Sequence, residues 1–113
     1  MSEPYVPDAG DLVWLDFDPR AGHEQAGRRP AIVLTTHDYN EAASLAVVCP
    51  VTRQVKGYPF EVVLPPASGF EGAILADHVK SVDWRARRAE YHAKAPASVV
   101  DDLRERLRAL LGL

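Results

Sequence analysis

The apolar residues of this chain come in a series of short runs, and this pattern limits the fold more than any other feature. The runs are rich in β-branched and aromatic residues, and glycine, proline or polar residues separate them, which is typical of strands joined by turns. Short strands at this spacing favour a small, strongly bent antiparallel barrel or half-barrel. The predicted strands are Asp11–Asp18, Ala31–Thr36, Leu45–Thr52, Tyr58–Leu64 and Ala73–Ala76, with Val79–Val82 and Ala89–His92 as candidates for one or two more.

Two positions refine this prediction. Pro50 lies inside the third predicted strand, and because proline cannot donate a ladder hydrogen bond, we expect an edge or a bulge there. Near the C-terminus the apolar period changes from that of strands to that of a helix. Ser98 is the predicted N-cap of this helix, with Asp101 three residues later as in a weak capping box. The helical stripe, expected to pack against the barrel or a twin subunit, consists of Val100, Leu103, Leu107, Leu110 and Leu111.

The composition is that of one globular domain spanning residues 1–113, with 47% hydrophobic and 26% charged residues. The single cysteine, Cys49, excludes an internal disulfide and a cysteine-rich zinc site, and its apolar neighbours predict a buried, unreactive thiol. The first ten residues lack the basic and apolar parts of a signal peptide. No apolar run approaches the ~20 residues of a membrane span. We therefore expect a cytoplasmic protein without a membrane segment.

The segment Gly22–Pro30 carries an unusual density of ionisable side chains: His23, Glu24, Arg28 and Arg29. It is either a solvated loop or a site that binds phosphate and transfers protons. The net charge of −3 argues against a nucleic-acid partner. However, the basic residues form local clusters in the sequence, so the chain can still present a basic groove on an acidic body.

Metal chemistry has little support in the sequence. The four histidines are scattered, neither they nor the carboxylates stand at ligand spacing, and there is no glycine-rich Walker loop, so we predict no metal and no cofactor. RNA can be cleaved without a metal because its 2′-OH can attack the adjacent phosphodiester. The protein must then accept one proton, donate another and stabilise the phosphorane. Glu24, Arg29 and Thr52 provide such a set if the end of the third strand lies near the loop.

The order of residues in Gly22–Pro30, with Glu24, Gln25, Gly27 and Arg29 at fixed spacing before an apolar strand, resembles the signature of the MazF/PemK family of toxins. The resemblance is strongest to the MazF-type members and covers nearly the whole chain, becoming loose only after about residue 89. Its other segments are Tyr5–Leu12, Trp14–Pro19, Lys56–Leu64, Leu75–Asp77, Val79–Ser81 and Trp84–Arg87.

The resemblance implies a mainly β fold, an SH3-like barrel of the CcdB/PemK type with a C-terminal helix. It implies a homodimeric, metal-independent mRNA interferase that cuts single-stranded RNA at a short sequence. The implied partner is a cognate antitoxin whose acidic C-terminal tail silences the toxin. An acidic, extended peptide that folds on binding can fill a basic groove built for a phosphate chain and so compete with RNA.

In this family the residue that matches Arg29 is catalytic, and those matching Glu24 and Thr52 contribute to the active site. Because a guanidinium stays protonated at neutral pH, we assign proton acceptance to Glu24. Arg29 then clamps the phosphorane and is the candidate proton donor, and Thr52 hydrogen-bonds a phosphate oxygen. The predicted RNA-binding residues are His23, Gln25, Arg28, Arg53, Lys56, Tyr58, His78, Lys80 and Arg87.

Two histidines depart from the family pattern. His23 stands beside the predicted catalytic carboxylate, where an imidazole could share the acid–base work, although a solvent-facing loop residue is the simpler interpretation. His78 stands where family members often carry glutamine, a side chain able to read a base edge. That difference concerns the RNA sequence that is recognised rather than catalysis.

Two other functions remain open at this stage. A gyrase poison of the CcdB type shares the fold but binds a protein and cuts nothing. Such toxins depend on a C-terminal Trp-Gly-Ile and lack the loop with Glu24 and Arg29, whereas this sequence ends in Leu110–Leu113. The other alternative is an inactive barrel that only binds RNA or an acidic peptide, and comparing Arg29→Ala with the unaltered chain on single-stranded RNA would distinguish it.

Overall fold

The computed structural model describes residues 4–16 and 27–113. Within these ranges the chain forms seven strands and two α-helices, so the predicted mainly β fold with a C-terminal helix is confirmed. Short 3-10 turns lie at Pro66–Ser68 and Ala76–His78. The elements in order are β1 (Asp11–Asp16), β2 (Arg28–Val33), α1 (His37–Ala43), β3 (Ala46–Thr52), β4 (Glu61–Val63), β5 (Ala73–Leu75), β6 (Lys80–Val82), β7 (Glu90–Lys94) and α2 (Ala97–Leu111).

The strands form one antiparallel sheet in the order β4-β5-β3-β2-β1-β7, from which β6 branches at β3. On one side β3 has two successive neighbours, because β6 pairs with its first half and β5 with Val51 and Thr52. Pro50 lies between these two stretches and pairs with Ala31 of β2 on the other side. The β2–β3 register shows no bulge at Pro50 and β3 is an interior strand, but an edge is present locally: the proline stands where one neighbour ends and the next begins, outside both pairings.

Both faces of the central strands are buried. Residues such as Leu12 and Ile32 face an apolar cluster that includes α2, and their sequence neighbours Val13 and Val33 face a second cluster around Trp84. A strand covered on both faces reads as a continuous apolar run, which explains why these segments show little alternation. From α2, Val99, Leu103 and Leu107 are buried in the first cluster, whereas Leu110 and Leu111 of the predicted stripe are exposed.

Helix α1 was not predicted, because its contacts are polar and distant in sequence. Its buried Asn40 donates from Nδ2 to the carbonyl oxygens of Pro7 (2.8 Å) and Thr35 (2.9 Å). Its backbone carbonyl accepts a hydrogen bond from Trp84 Nε1 at 2.9 Å. At the start of the helix, the His37 N–H donates to Asp8 Oδ1 at 2.9 Å. These tertiary contacts leave no apolar period in the sequence.

The predicted N-cap of α2 is also wrong. The helix begins at Ala97, and the Pro96 carbonyl accepts from Val99 N–H at 3.0 Å and from Val100 N–H at 3.2 Å. Pro96 takes the cap position with an extended ψ of 146°, and no side chain makes a cap hydrogen bond. Across the described ranges, neither helix has the length and hydropathy needed to cross a bilayer.

A polar corner, formed by Tyr5, Asp8, Asp11 and Lys94, fixes the N-terminal segment against β7. Asp11 is buried and accepts from Tyr5 OH at 2.5 Å, and its other oxygen lies 2.7 Å from Lys94 Nζ. Burial, followed by the hydrogen bond to Asp11, raises the pKa of Tyr5. Burial alone would lower the pKa of Lys94, but the hydrogen bond and charge of Asp11, with Asp8, outweigh it and raise that pKa.

Candidate functional site

One large cleft of about 1080 Å³ lies on the sheet where β2 begins and β3 ends. Its lining comes from parts of the chain that are distant in sequence. These are Trp14 of β1, residues 28–30, residues 50–53, residues 69–71, residue 75 and residues 77–80. Thus the β4–β5 connection and the turn before β6 form walls over the ends of the central strands.

Arg29 and Thr52 meet in this cleft because of the β2–β3 register. Ala31 pairs with Pro50, and two residues further along each strand are Arg29 and Thr52, which both line the cleft. The sequence hypothesis required the end of the third strand to lie near the loop Gly22–Pro30, and Arg29, at the end of that loop, lines the same cleft as Thr52. Three other predicted site residues, His23, Glu24 and Gln25, lie outside the described residues.

Arg28 also lines the cleft, but its guanidinium is already engaged by the fold. Its Nη1 lies 2.9 Å from Asp16 Oδ1, and its Nη2 donates to the carbonyl oxygens of Trp14, at 3.3 Å, and Arg88. Arg88 Nε donates to the second oxygen of Asp16 at 2.7 Å. The hydrogen bonds from Arg88 and Arg28 hold the pKa of Asp16 below its usual range. This Asp16 network fixes the end of β1 against the start of β2.

Arg29, in contrast, is exposed, and within residues 4–16 and 27–113 its side chain makes no hydrogen bond or ion pair. Its guanidinium can therefore meet an anion in the cleft without first breaking a contact to those residues. The exposed Arg53, His78 and Lys80 line the same cleft. With Arg29, the charges of Arg53 and Lys80 give the cleft a cationic side, although the carboxylates of Glu71 and Asp77 also lie in its lining.

The hydroxyl of Thr52 is oriented by its own turn. Thr52 Oγ1 accepts the Gln54 N–H at 3.1 Å, so one lone pair is used and the O–H proton remains as a donor. Gly72, just before β5, packs closely against the backbone of Thr52. It has a φ of +122°, and a Cβ there would lie 2.8 Å from the Thr52 carbonyl carbon and overlap its oxygen. Only glycine allows such close contact of the two backbones.

Three predicted RNA-binding residues do not line the cleft. Lys56 and Tyr58 belong to the exposed connection between β3 and β4, where the buried carboxylate of Glu61 accepts the Lys56 N–H at 3.0 Å and the Gly57 N–H at 2.8 Å. Arg87 donates to the backbone oxygen of Asp16 at 3.1 Å. A contribution of these residues to RNA binding remains a prediction.

Sequence reasoning missed several cleft residues. Trp14, which is not among the predicted site residues, packs on the first apolar cluster and also lines the cleft. Phe70 and Glu71 had no local signal, because only the docking of the β4–β5 connection brings them to the site. Asp77 stands in the segment Leu75–Asp77 that carried the family resemblance, so this motif could have identified it.

The described residues contain no group of three or more His, Cys, Asp or Glu side chains placed to hold a metal ion. Cys49 is buried as predicted, and its environment makes it a poor nucleophile. Burial, with a smaller contribution from the charge of Asp77, raises the pKa of its thiol to about 12.

Comparison with known proteins identifies the family of this chain. The sequence profile of PemK-like, MazF-like toxins of type II toxin–antitoxin systems matches residues 8–111. The chain is 47% identical over 114 residues to the endoribonuclease toxin MazF of Escherichia coli (strain K12), covering 99% of this chain and 100% of that protein. The crystal structure of MazF from Deinococcus radiodurans is similar at 58% identity and a TM-score of 0.88, covering 97% of this chain and 100% of that one. A MazE–MazF crystal structure from that organism matches at 56% identity and a TM-score of 0.90, covering 96% and 99%. The chain therefore belongs to the family of PemK-like, MazF-like toxins of type II toxin–antitoxin systems.

Proposed function

We propose that this chain is an endoribonuclease toxin that cuts single-stranded mRNA at a short recognition sequence without a metal ion. The observation that carries the proposal is the meeting of Arg29 and Thr52 in one cleft with a cationic side. Family membership supports it, because the relatives at high identity are named as endoribonuclease toxins. It favours this function over a gyrase poison or an inactive binding barrel.

In the proposed reaction, the 2′-oxygen of one nucleotide attacks the adjacent phosphorus, and the bond from phosphorus to the 5′-oxygen breaks. Glu24 accepts the 2′-OH proton, and Arg29 is the proposed source of the proton that reaches the departing 5′-oxygen. The Arg29 guanidinium also stabilises the negative charge of the phosphorane, and Thr52 donates its O–H to a non-bridging oxygen. The products are a 2′,3′-cyclic phosphate and a 5′-OH end.

Substrate binding follows from the remaining cleft residues. Arg53, His78 and Lys80 contact the phosphates or bases that flank the cut, and Arg28 holds the site together through Asp16. His23 and Gln25 join them from the loop, and Lys56, Tyr58 and Arg87 extend the contact outside the cleft. His78 takes the position from which a side chain reads a base edge.

The proposed partners are a second copy of the chain and an antitoxin. A homodimer would carry two copies of the cleft, and an antitoxin with an acidic C-terminal tail would occupy the cationic side that RNA otherwise uses. The MazE–MazF structures from Deinococcus radiodurans support an antitoxin partner. With its mRNA substrate and no membrane segment expected, the toxin acts in the cytoplasm.

The decisive experiment is end-group analysis of RNA cut by the purified protein in the presence of EDTA. We expect undiminished cleavage, fragments that end in 2′,3′-cyclic phosphate, and a single recognition sequence when the 5′ ends are sequenced. Fragments with 3′-OH ends, or activity lost with EDTA and restored by a divalent cation, would contradict the mechanism. A Glu24→Gln variant tests the proton acceptor, and unchanged cleavage by it would remove Glu24 from that role.

A further inference from the structure

An aromatic group extends from the cleft to the outside of the molecule. Trp14 and Phe70 line the cleft, and the ring of His92, on the edge strand β7, lies beyond them. Phe70 and His92 are stacked, with centroids 4.3 Å apart and planes at 7°. Trp14 meets both rings edge-on, at 5.0 Å from Phe70 and 6.0 Å from His92. The His92 ring therefore continues the aromatic wall of the cleft past its rim.

The His92 ring is held at its edge as well as at its face. Nε2 lies 2.8 Å from the Gly69 carbonyl oxygen and donates to it, since a carbonyl can only accept. Gly69 has a φ of +97°, and a Cβ there would lie 3.0 Å from Nε2, so the backbone approaches the ring closely. A ring fixed in this way loses little conformational entropy when a ligand covers it.

His92 nevertheless remains exposed. Because Phe70 covers one face of the ring, the opposite face is the one on which a base can stack. Its neighbour Tyr91 is different: it leans edge-on against Tyr5, at 5.8 Å, beside the second apolar cluster, and does not line the cleft. Of these two exposed rings on β7, only His92 is in contact with a cleft residue.

We propose that His92, backed by Phe70, is a stacking subsite for one unpaired base of the RNA strand where that strand leaves the cleft. This inference rests on the proposed endoribonuclease function and adds a contact outside the cut. Every base has a π-face, so stacking on a fixed ring strengthens binding with little selection among the four bases. The subsite therefore serves affinity for single-stranded RNA rather than choice of sequence.

The test measures the Kd for an uncleavable single-stranded RNA that spans the cut site with several nucleotides on each side. A 2′-deoxy sugar at the scissile nucleotide removes the nucleophile. We expect His92→Ala to raise the Kd about tenfold, in line with the loss of one stacked base. His92→Phe, which keeps a flat ring, should remain near the unaltered protein, and Tyr91→Ala is the matched control that should leave the Kd unchanged.

A scan with abasic nucleotides locates the contact. At one flanking position, removing the base should raise the Kd of the unaltered protein about tenfold and abolish its difference from His92→Ala.

The subsite is overturned if no flanking position responds. It is also overturned if His92→Ala weakens the binding of a minimal RNA that covers only the cut as much as the binding of the long RNA, since His92 then only positions the Gly69 segment. A scan of the unaltered protein in which no flanking position responds rejects the subsite even if His92→Ala fails to fold. Loss of all RNA binding and cleavage would reject the proposed function itself, whereas binding and cleavage that are independent of His92 would reject the subsite alone.

Discussion

Charged side chains cluster both in the polar corner and in the cleft, but the two regions differ in how far those charges are paired within the chain. In the polar corner the buried carboxylate of Asp11 contacts the hydroxyl of Tyr5 and the ammonium of Lys94. In the cleft, Arg29 presents an exposed guanidinium that has no hydrogen-bond or ion-pair partner among residues 4–16 and 27–113. Charges satisfied within the chain stabilise the fold, whereas a charge left open in a concave surface is available to a ligand.

The same difference separates two residues that are adjacent in sequence. Arg28 is held by Asp16 and by two backbone carbonyls, but Arg29 is not. Successive side chains of a strand point in opposite directions, so Arg28 can hold the end of β1 to the start of β2 while the guanidinium of Arg29 stays available to a ligand. Substitutions in the two regions should therefore affect different properties, and the following tests separate them.

The largest effect should come from Arg29→Ala. Removing a cationic donor that stabilises the phosphorane should lower the cleavage rate by about 10²- to 10³-fold. The midpoint of thermal unfolding should stay within error of the unaltered protein, because the Arg29 side chain makes no hydrogen bond or ion pair with residues 4–16 and 27–113. Arg104→Ala, an exposed arginine on α2, is the control and should change neither property. Full cleavage by Arg29→Ala would show that this open charge is not used in the reaction.

Gly72→Ala should affect both stability and activity. A left-handed φ and overlap with the Thr52 backbone should together cost about 3 kcal/mol in the free energy of unfolding, measured in urea. Because Thr52 must move to make room, cleavage should also fall at temperatures where the variant is folded. Gly57→Ala is the matched control: its φ is +82° but no atom lies within 4 Å of the added Cβ. That variant should lose only about 1 kcal/mol and keep its activity.

Asp11→Ala should destabilise the polar corner and leave the cleft unchanged. The substitution leaves the Tyr5 hydroxyl and Lys94 without their common acceptor, and we expect a loss of about 2 kcal/mol in the free energy of unfolding. The rate of cleavage under folding conditions should be unaltered. Asp102→Ala removes an exposed ion pair with Arg106 and should cost no more than ~0.5 kcal/mol. A rate that falls with the stability of Asp11→Ala would show that the two regions are coupled.

The smallest effect concerns acid stability. Arg88 and Arg28 lower the pKa of Asp16 in the folded protein. The stability that the ionised Asp16 contributes is therefore fully present above the unfolded pKa of about 3.9, and it is lost as the pH falls through the lower folded value. Asp16→Asn should therefore unfold at a lower temperature than the unaltered protein at pH 7. This difference should shrink as the pH falls below about 4. A difference that is independent of pH would show that the Asp16 network acts by packing rather than by charge.

Local patterns predicted much of the fold, and the misses have physical reasons. The runs that became β1, β2 and β3 carry their own signals, because each buries branched side chains on both faces. Helix α1 depends on Asn40 meeting Pro7 and Trp84, a contact that no window of sequence contains. In the same way, Arg29 and Thr52 could be named as candidates, but only the β2–β3 register brings them together.

The aromatic wall shows most clearly what sequence patterns could not predict. Phe70 and His92 are separated by more than twenty residues, and neither stands in a segment that carried the family resemblance. Their stacking arises because the β4–β5 connection packs against β7, although β4 and β7 stand at opposite ends of the strand order. Such a contact follows from topology, so sequence patterns could not indicate it.

The lining of the cleft runs from Trp14 to Lys80, more than half the length of the chain. A ribosome releases residues in order, so a growing polypeptide cannot possess the whole lining before Lys80 has emerged. A nascent chain of this kind therefore cannot present the complete cleft until well past the middle of its own synthesis.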